Sequence, residues 1–326
     1  MVKLTHTNIE AARAIISQHV CPTPQMCWPL LCEEMGTEVW VKHENHTPIG
    51  AFKVRGGLVY LDQLVKHTHP PKHLITATRG NHGQSIPFAA RHHGISVTVL
   101  VPHGNSVEKN AAMRAWGAQV VEFGADFDAA REEAGRRASA GEGEFVPSFH
   151  EDLIRGVATY AHELMTSVND LDVIYCPIGM GSGIASLVAV RDLLGIRTQI
   201  VGVVSAHADA MAQTIAADGI VSTETANTFA DGMATRFPNQ EAVSIIRQGV
   251  ERLVRVSDDE VASAIRRLYR CTHNVAEGAG AAACAAAYQE RQQISGKRIA
   301  VILTGGNIDR AWFVQVLNGE TPKVGT

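Results

Sequence analysis

Short runs of apolar and β-branched residues recur along the chain, separated by longer stretches whose apolar residues lie three or four positions apart. The first run alternates in polarity, whereas the later ones are continuous, as in strands covered on both faces of a parallel sheet. The intervening stretches are typical of amphipathic helices. The predicted strands span residues 38–44, 73–78, 96–102, 118–123, 173–179, 199–205 and 298–306. The predicted helices span residues 8–19, 83–93, 107–116, 127–139, 155–168, 183–194, 258–272 and 277–293.

This alternation predicts an α/β fold with mainly parallel sheets and helices on both faces, and therefore three layers. The chain has 326 residues, which is too long for one small core and suits two interleaved domains. We predict that residues 54–147 form a smaller inserted α/β domain. Residues 1–53 and 148–326 would together form the larger domain, and Gly56 and Gly57 would let the chain turn from one into the other.

Composition excludes several classes of protein. Apolar residues make up 45% of the chain and charged residues 19%, which is ordinary for a globular protein. A net charge of −4 provides no general basic surface for nucleic acid or acidic lipid. The N-terminal residues lack the apolar core of a signal peptide, and no apolar run is long enough to span a membrane. The six cysteines form no C-x-x-C pair. We therefore expect a cytoplasmic protein with free thiols and no zinc site.

Two junctions between a predicted strand and the following helix carry candidate binding chemistry, because ligands of open parallel sheets bind where strands end. In TATRGNHGQS (76–85), Asn81 and His82 stand at a helix N-terminus, which favours an anion such as a carboxylate, although Asn81 could be only a helix cap. In PIGMGSGIAS (177–186), backbone amides and a serine hydroxyl could surround a phosphate. The dinucleotide pattern G-x-G-x-x-G is excluded because Ile184 replaces its third glycine.

A third junction and one lysine complete the set. ILTGGNIDR (302–310) places the hydroxyl of Thr304 at a strand end, although the same residues would also suit a plain strand-to-helix turn without a ligand. PIGAFKVRGG (48–57) places Lys53 among small and apolar residues, either near a surface turn or beside a group with which it reacts. A phosphate site, a carboxylate site and such a lysine together suit an aldehyde cofactor that bears a phosphate. Lysine forms a Schiff base with the aldehyde, and pyridoxal phosphate is such a cofactor.

Five segments of the chain resemble, in order, the motifs of a known enzyme family. The segments are GAFKVRGG, TRGNHGQS, PIGMGSG, AEGAGAAACAA and LTGGN. They are similar to motifs of the pyridoxal-phosphate-dependent threonine dehydratase and serine racemase family, which has the tryptophan synthase β-like fold of type II. The resemblance extends over nearly the whole chain. It implies pyridoxal 5′-phosphate as the cofactor, a cofactor-binding role for the larger domain, a homodimer and a small amino-acid substrate.

The resemblance also implies a role for each residue that matches a motif. Lys53 would be the catalytic residue, joined to the cofactor as a Schiff base and later moving protons. The other cofactor-binding residues would be Phe52, Asn81, Gly179, Met180, Gly181, Ser182, Gly183, Glu277 and Thr304. The substrate-binding residues would be Thr78, Arg79, Gly80 and His82.

The implied activity is that of a lyase, a dehydratase or ammonia-lyase that converts a β-hydroxy amino acid such as threonine or serine to a 2-oxo acid and ammonia. Alternatives are a dehydratase for 3-hydroxyaspartate or phenylserine, a diaminopropionate-type lyase, and a catalytically silent protein that binds a phosphorylated ligand.

Two departures from the family pattern refine the expectation. Arg79 stands where the racemases carry an acid/base serine, so racemisation is disfavoured, and Arg79 could pair with a second substrate carboxylate. Its alternative role is a structural salt bridge or a solvent-facing side chain. Val204 and Ala210 stand where the racemase branch has two metal-binding carboxylates, so we expect no metal there.

Overall fold

Ten strands and thirteen α-helices alternate along residues 3–324, the part of the chain that this computed structural model describes. The strands are β1 Gln25–Cys27, β2 Glu38–His43, β3 His73–Ala77, β4 Ser96–Val101, β5 Ala118–Glu122, β6 Glu144–Phe145, β7 Val173–Pro177, β8 Gln199–Ser205, β9 Arg252–Val256 and β10 Arg298–Leu303. The helices are α1 His6–Ile16, α2 Pro29–Met35, α3 Lys53–Leu64, α4 Asn81–Ala90, α5 Val107–Ala115, α6 Phe127–Ser139, α7 Glu151–Ser167, α8 Ser182–Leu194, α9 Ala210–Ala216, α10 Gln240–Gly249, α11 Asp258–Thr272, α12 Gly278–Gln289 and α13 Arg310–Leu317. Each of the seven predicted strands is present.

The strands form two sheets, which confirms the predicted α/β class. The larger sheet has the order β1-β2-β10-β7-β8-β9, and only its edge pair β1–β2 is antiparallel. The smaller sheet has the order β5-β4-β3-β6 and is parallel throughout. Because neighbouring parallel strands need crossover connections, helices cover the sheets. The carboxyl ends of β3, β7 and β10 are therefore the places where loops can present side chains to a ligand.

Burial on both faces explains why the strands read as continuous apolar runs. In β7, Val173 and Tyr175 pack into one hydrophobic cluster, while Ile174 and Cys176 pack into another on the opposite face. All four side chains are fully buried. Successive residues of a strand point to opposite faces, so a strand with two buried faces needs apolar residues at every position.

The expectation that Gly56 and Gly57 form a turn is wrong, because both residues lie buried inside α3. A Cβ on Gly56 would stand 2.9 Å from the carbonyl oxygen of Leu153 in α7. A Cβ on Gly57 would stand 2.2 Å from Oγ of Ser85 in α4. The two glycines therefore allow close packing of three helices, and this packing outweighs their low helix propensity.

The smaller sheet takes its strands from residues 73–145, and the larger sheet takes its strands from residues 25–43 and 173–303. The division into 54–147 and 1–53 with 148–326 stays a prediction, and residues 1, 2, 325 and 326 of that division lie outside the described residues. Over residues 3–324, no helix is both long and apolar enough to cross a membrane.

Candidate active site

A cleft opens where the loops after β3, β7 and β10 meet the first turn of α3. It encloses about 800 Å³ of space, including the part open to solvent. Each of the proposed site residues contributes to its wall, since the lining includes Phe52, Lys53, Thr78, Arg79, Gly80, Asn81, His82, Gly179, Met180, Gly181, Ser182, Gly183, Glu277 and Thr304. The chain thus brings together residues from five separate segments, although their roles stay predictions.

Lys53 is held at the first position of α3, facing the start of α8. Its approach is fixed by the backbone, because Phe52 N–H donates to the carbonyl oxygen of Thr304 at 3.0 Å and Ala51 bridges to Gly305. Lys53 Nζ donates to Ser182 Oγ at 2.9 Å. Burial away from water lowers the pKa of Lys53 to about 8. Near neutral pH a larger fraction of this amine is therefore neutral and nucleophilic than for an ordinary lysine, although the protonated form still dominates.

The loop Gly179–Gly183 ends in the N-terminus of α8. Gly181 has φ +101°, a left-handed conformation that favours glycine, and no side chain caps the helix. A Cβ on Gly179 would stand 2.2 Å from the carbonyl oxygen of Gly232, so only glycine fits there. The uncapped amides at the start of α8 and the hydroxyl of Ser182 form a site for an anionic oxygen-rich group.

Asn81 begins α4 and is held from two sides. Its Nδ2 donates to Glu277 Oε1 at 2.5 Å, and its Oδ1 accepts from Asn307 Nδ2 at 2.9 Å. Thr304 is buried at the end of β10, and its Oγ1 forms no hydrogen bond with the described residues. The cleft thus offers one oriented amide and one hydroxyl that is not otherwise used.

His82 follows the loop after β3 and carries a buried polar atom without a partner. The residue is 6% exposed, and its Nε2 has no hydrogen-bond partner among residues 3–324. Burial, with a smaller contribution from the positive charge of Lys53, lowers the pKa of His82 to about 3, so the imidazole is neutral at physiological pH. Thr78 Oγ1 accepts from the Gly80 amide at 2.9 Å and shapes this loop.

Arg79 is half-buried in the cleft wall, and its Nε is buried without a hydrogen-bond partner in the described chain. No carboxylate of residues 3–324 forms a salt bridge with Arg79, so the structural ion pair considered for Arg79 is absent from this part of the chain. A buried guanidinium nitrogen without an acceptor is costly. Its planar fork matches a carboxylate.

Several residues of the cleft wall were not predicted from the sequence, and two of them, Lys109 and Asp231, are charged. Lys109 Nζ lies 2.5 Å from Asp231 Oδ2 and 2.9 Å from Glu277 Oε2, and the three side chains are almost fully buried. One signal could have identified Lys109, because it shares a helical face with buried Met113, where an apolar residue is normal. The other missed wall residues include Phe127, Ser148 and Met233.

The two positions that were compared with the metal-binding carboxylates of the racemases carry no side chain that could bind a metal. Val204 is buried in β8, Ala210 begins α9, and the neighbouring Asp209 pairs with Arg255 at 2.8 Å. Residues 3–324 contain no group of three or more His, Cys, Asp or Glu side chains placed to bind a metal. That the protein needs no metal stays a prediction.

Comparisons with known proteins agree with this geometry. Residues 16–305 match the model of a family described as pyridoxal-phosphate dependent enzyme. The chain is 28% identical over 322 residues to L-threo-3-hydroxyaspartate ammonia-lyase of Saccharomyces cerevisiae, covering 98% of each chain. It is 33% identical over 308 residues to an L-threonine ammonia-lyase of Geobacter sulfurreducens, covering 94% of this chain and 76% of that one. Among solved structures, a pyridoxal 5′-phosphate-dependent aspartate racemase has a TM-score of 0.87 and 26% identity, over 95% of this chain and 97% of that one.

Proposed function

Because the chain belongs to the family of pyridoxal-phosphate dependent enzymes, we propose that it is an ammonia-lyase that acts on a β-hydroxy amino acid of the threonine and serine type. The β-hydroxyl leaves as water, and one water is taken up again as ammonia is released, so the net products are a 2-oxo acid and ammonia. The observation that carries the proposal is Lys53, a desolvated amine 2.9 Å from Ser182 at the uncapped start of α8.

The residues of the cleft fit pyridoxal phosphate. The uncapped amides of α8 and Ser182 suit a phosphate, and Lys53 suits an aldehyde. Asn81 and Thr304 offer an amide and a hydroxyl to the polar positions of a pyridine ring. When bound, the cofactor supplies a carbonyl that condenses with amines and a ring that withdraws electrons from the substrate Cα.

In this proposal, the residues of the cleft have the following roles. Phe52 and the loop 179–183, which includes Met180, would enclose the cofactor, and Thr304 would offer a neutral hydroxyl to its ring nitrogen. A neutral partner would leave that nitrogen less protonated than a carboxylate would, which moderates electron withdrawal and favours β-elimination over transamination. Lys53 Nζ, once neutral, accepts the proton from the substrate Cα.

The loop after β3 is the proposed substrate carboxylate site. Thr78, Gly80 and His82 lie at the start of α4, where helix amides favour an anion. The imidazole of His82 is neutral, and its Nε2, which has no hydrogen-bond partner among residues 3–324, can bind the substrate without adding charge. This arrangement orients the Cα–H bond relative to Lys53, and such orientation accounts for much of enzymatic rate enhancement.

The proposal is tested by incubating the cofactor-loaded protein with serine, threonine, 3-hydroxyaspartate, phenylserine and 2,3-diaminopropionate, and measuring 2-oxo acid and ammonia separately. A hydroxy amino acid should give one ammonia per 2-oxo acid, whereas diaminopropionate would give two. Protein stripped of cofactor is the control. Binding of pyridoxal phosphate without 2-oxo acid from any of these compounds would favour a silent binding protein and refute the lyase.

A second candidate substrate is 3-hydroxyaspartate, favoured by the Nε of Arg79 in the cleft wall, which has no hydrogen-bond partner in the described part of the chain. If Arg79 pairs with the side-chain carboxylate, Arg79→Ser should lower kcat/KM for 3-hydroxyaspartate by about 10- to 100-fold, since a hydrogen bond to a charged group contributes about 1.5–3 kcal/mol. The kcat/KM for serine should change by less than about threefold. Steady-state kinetics with both substrates measure this difference.

The exposed Arg114 of α5 offers a matched control, and Arg114→Ser should leave both substrates unchanged. An equal loss on serine and 3-hydroxyaspartate in Arg79→Ser would instead assign Arg79 to the carboxylate that all substrates share.

We further propose a cytoplasmic homodimer, on the basis of the family resemblance. The six cysteines are all free, and Cys27 and Cys32 remain unlinked with their sulfurs 3.4 Å apart, which fits a reducing compartment. Light scattering of the purified protein measures the oligomeric state.

A further inference from the structure

A buried charge cluster closes one side of the cleft, formed by Lys109, Asp231 and Glu277. Their exposed fractions are 5%, 8% and 2%. Lys109 Nζ donates to Asp231 Oδ2 at 2.5 Å and lies 2.9 Å from Glu277 Oε2. The contact between Lys109 Nζ and Glu277 Oε2 is an ion pair but not a hydrogen bond, because Oε2 has no hydrogen-bond donor in the described chain. One ammonium therefore neutralises part of the charge of two buried carboxylates.

The cluster joins elements of both sheets. Lys109 belongs to α5, which follows a strand of the smaller sheet, whereas Glu277 immediately precedes α12, which packs on the larger sheet. Gly80 leaves room for the lysine, because a Cβ there would stand 2.4 Å from Lys109 Cδ. The cluster is therefore built into the contact between the two halves of the cleft.

The ammonium of Lys109 favours the ionised form of Glu277. Burial and the nearby charge of Asp231 raise the pKa of Glu277, while Lys109 opposes that shift. Without the ammonium, two buried carboxylates would face each other, and one of them would take up a proton.

The charge of Glu277 in turn orients Asn81. An ionised carboxylate only accepts hydrogen bonds, so Glu277 Oε1 requires the amide nitrogen of Asn81, which it binds at 2.5 Å. Asn307 Nδ2 requires the amide oxygen of Asn81, which it binds at 2.9 Å. A protonated Glu277 could donate instead, and the orientation of the Asn81 amide would then depend on Asn307 alone.

We propose that Lys109 is a positioning residue, which keeps Glu277 as a carboxylate and thereby fixes the Asn81 side chain in one orientation against the bound cofactor. This inference rests on the proposed function for the identity of the cofactor. The groups that face Glu277 are the charges of Lys109 and Asp231 and the amide of Asn81.

Two variants with the same net charge test the proposal, Glu277→Gln and Asp231→Asn. Each removes one carboxylate and leaves Lys109 with one partner, so neither leaves an unpaired buried charge. Glu277→Gln should weaken binding of pyridoxal phosphate to the apo-protein by about tenfold or more, because it removes a charged acceptor from Asn81. It should also change the visible spectrum of the bound cofactor, whereas Asp231→Asn should retain the wild-type spectrum.

A second test removes the ammonium of Lys109. Lys109→Met should resemble Glu277→Gln in cofactor affinity and in the pH dependence of the cofactor spectrum. Adding Asp231→Asn to Lys109→Met should recover part of the affinity, because it removes the carboxylate that repels Glu277. Lys66→Met, in an exposed ion pair with Asp62, is the control and should behave as wild type.

The outcomes separate positioning from a purely structural role. Equal loss of stability in Glu277→Gln and Asp231→Asn, with unchanged spectra and cofactor affinity, would overturn the proposal, as would a double variant no better than Lys109→Met. If Lys109→Met does not fold, the comparison of Glu277→Gln with Asp231→Asn decides alone. Since affinity and spectrum need no turnover, failure of the lyase assay would leave this test intact.

Discussion

Lys53→Ala should lower the rate of 2-oxo acid formation by at least about 10³-fold, the largest loss expected from any single change in this chain. In the proposed mechanism, the variant loses both the amine that condenses with the cofactor carbonyl and the base that accepts the Cα proton. Lys53 and the ion-paired Lys109 are the only lysines of the cleft among residues 3–324. The rate is measured with saturating cofactor and the best substrate of the panel. Lys66→Ala is the matched control, because Lys66 is an exposed lysine that pairs with Asp62.

The same amine predicts a pH dependence. Only the neutral form of Lys53 attacks a carbonyl, and its pKa is lowered to about 8 from an ordinary value near 10.5. Covalent uptake of pyridoxal phosphate by the apo-protein should therefore become faster as pH rises through about 8 and level off above it. Borohydride reduction followed by mass spectrometry measures the bound fraction and its position. A midpoint near 10, or label on a lysine other than Lys53, would contradict the assignment.

Arg55→Met should lower the free energy of unfolding by about 3–5 kcal/mol, because it leaves a buried carboxylate without its partner. Arg55 is fully buried and holds Glu44 through two hydrogen bonds, at 2.8 Å from Nε and 3.0 Å from Nη2. Its Nη1 also donates to Glu163 at 2.7 Å, which joins α3 to α7. Equilibrium unfolding in urea measures the change.

Arg13→Met is the control, because Arg13 pairs with Glu10 at the surface and the two side chains are 47% and 64% exposed. Exposed pairs contribute about 0–1 kcal/mol. Adding Glu44→Gln to Arg55→Met should recover part of the stability, since the unpaired charge is then absent. If Arg55→Met costs no more than Arg13→Met, the buried network does not stabilise the fold in this way.

The fold class could be predicted because β3, β4, β7, β8 and β10 are buried over nearly their whole length, on both faces, and so carry an almost unbroken apolar signal. The strands that the sequence analysis missed lack that signal. Gln25–Cys27 and Glu144–Phe145 have three and two residues, too few for a pattern. Arg252–Val256 is the edge of the larger sheet and carries two arginines, so it reads as polar.

The helix Lys53–Leu64 was missed for another reason. Gly56 and Gly57 normally disfavour a helix, and their purpose is visible only when Leu153 and Ser85 are seen against them. Local propensity cannot report a contact made by residues distant in the chain.

The sequence by itself determined the alternation of strands and helices, because a strand covered on both faces needs apolar residues in succession. It also made Lys53 a candidate reactive amine, but only when the motifs at 78–84, 179–183 and 304–307 were considered together with it. Only the tertiary structure decided the charge environment of the cleft. Lys109 and Asp231 are 122 residues apart, and nothing near either of them in the chain marks their partnership. Ion pairs depend on distance in space, and only the packing of α5 against the loops around residues 231 and 277 brings these charges together.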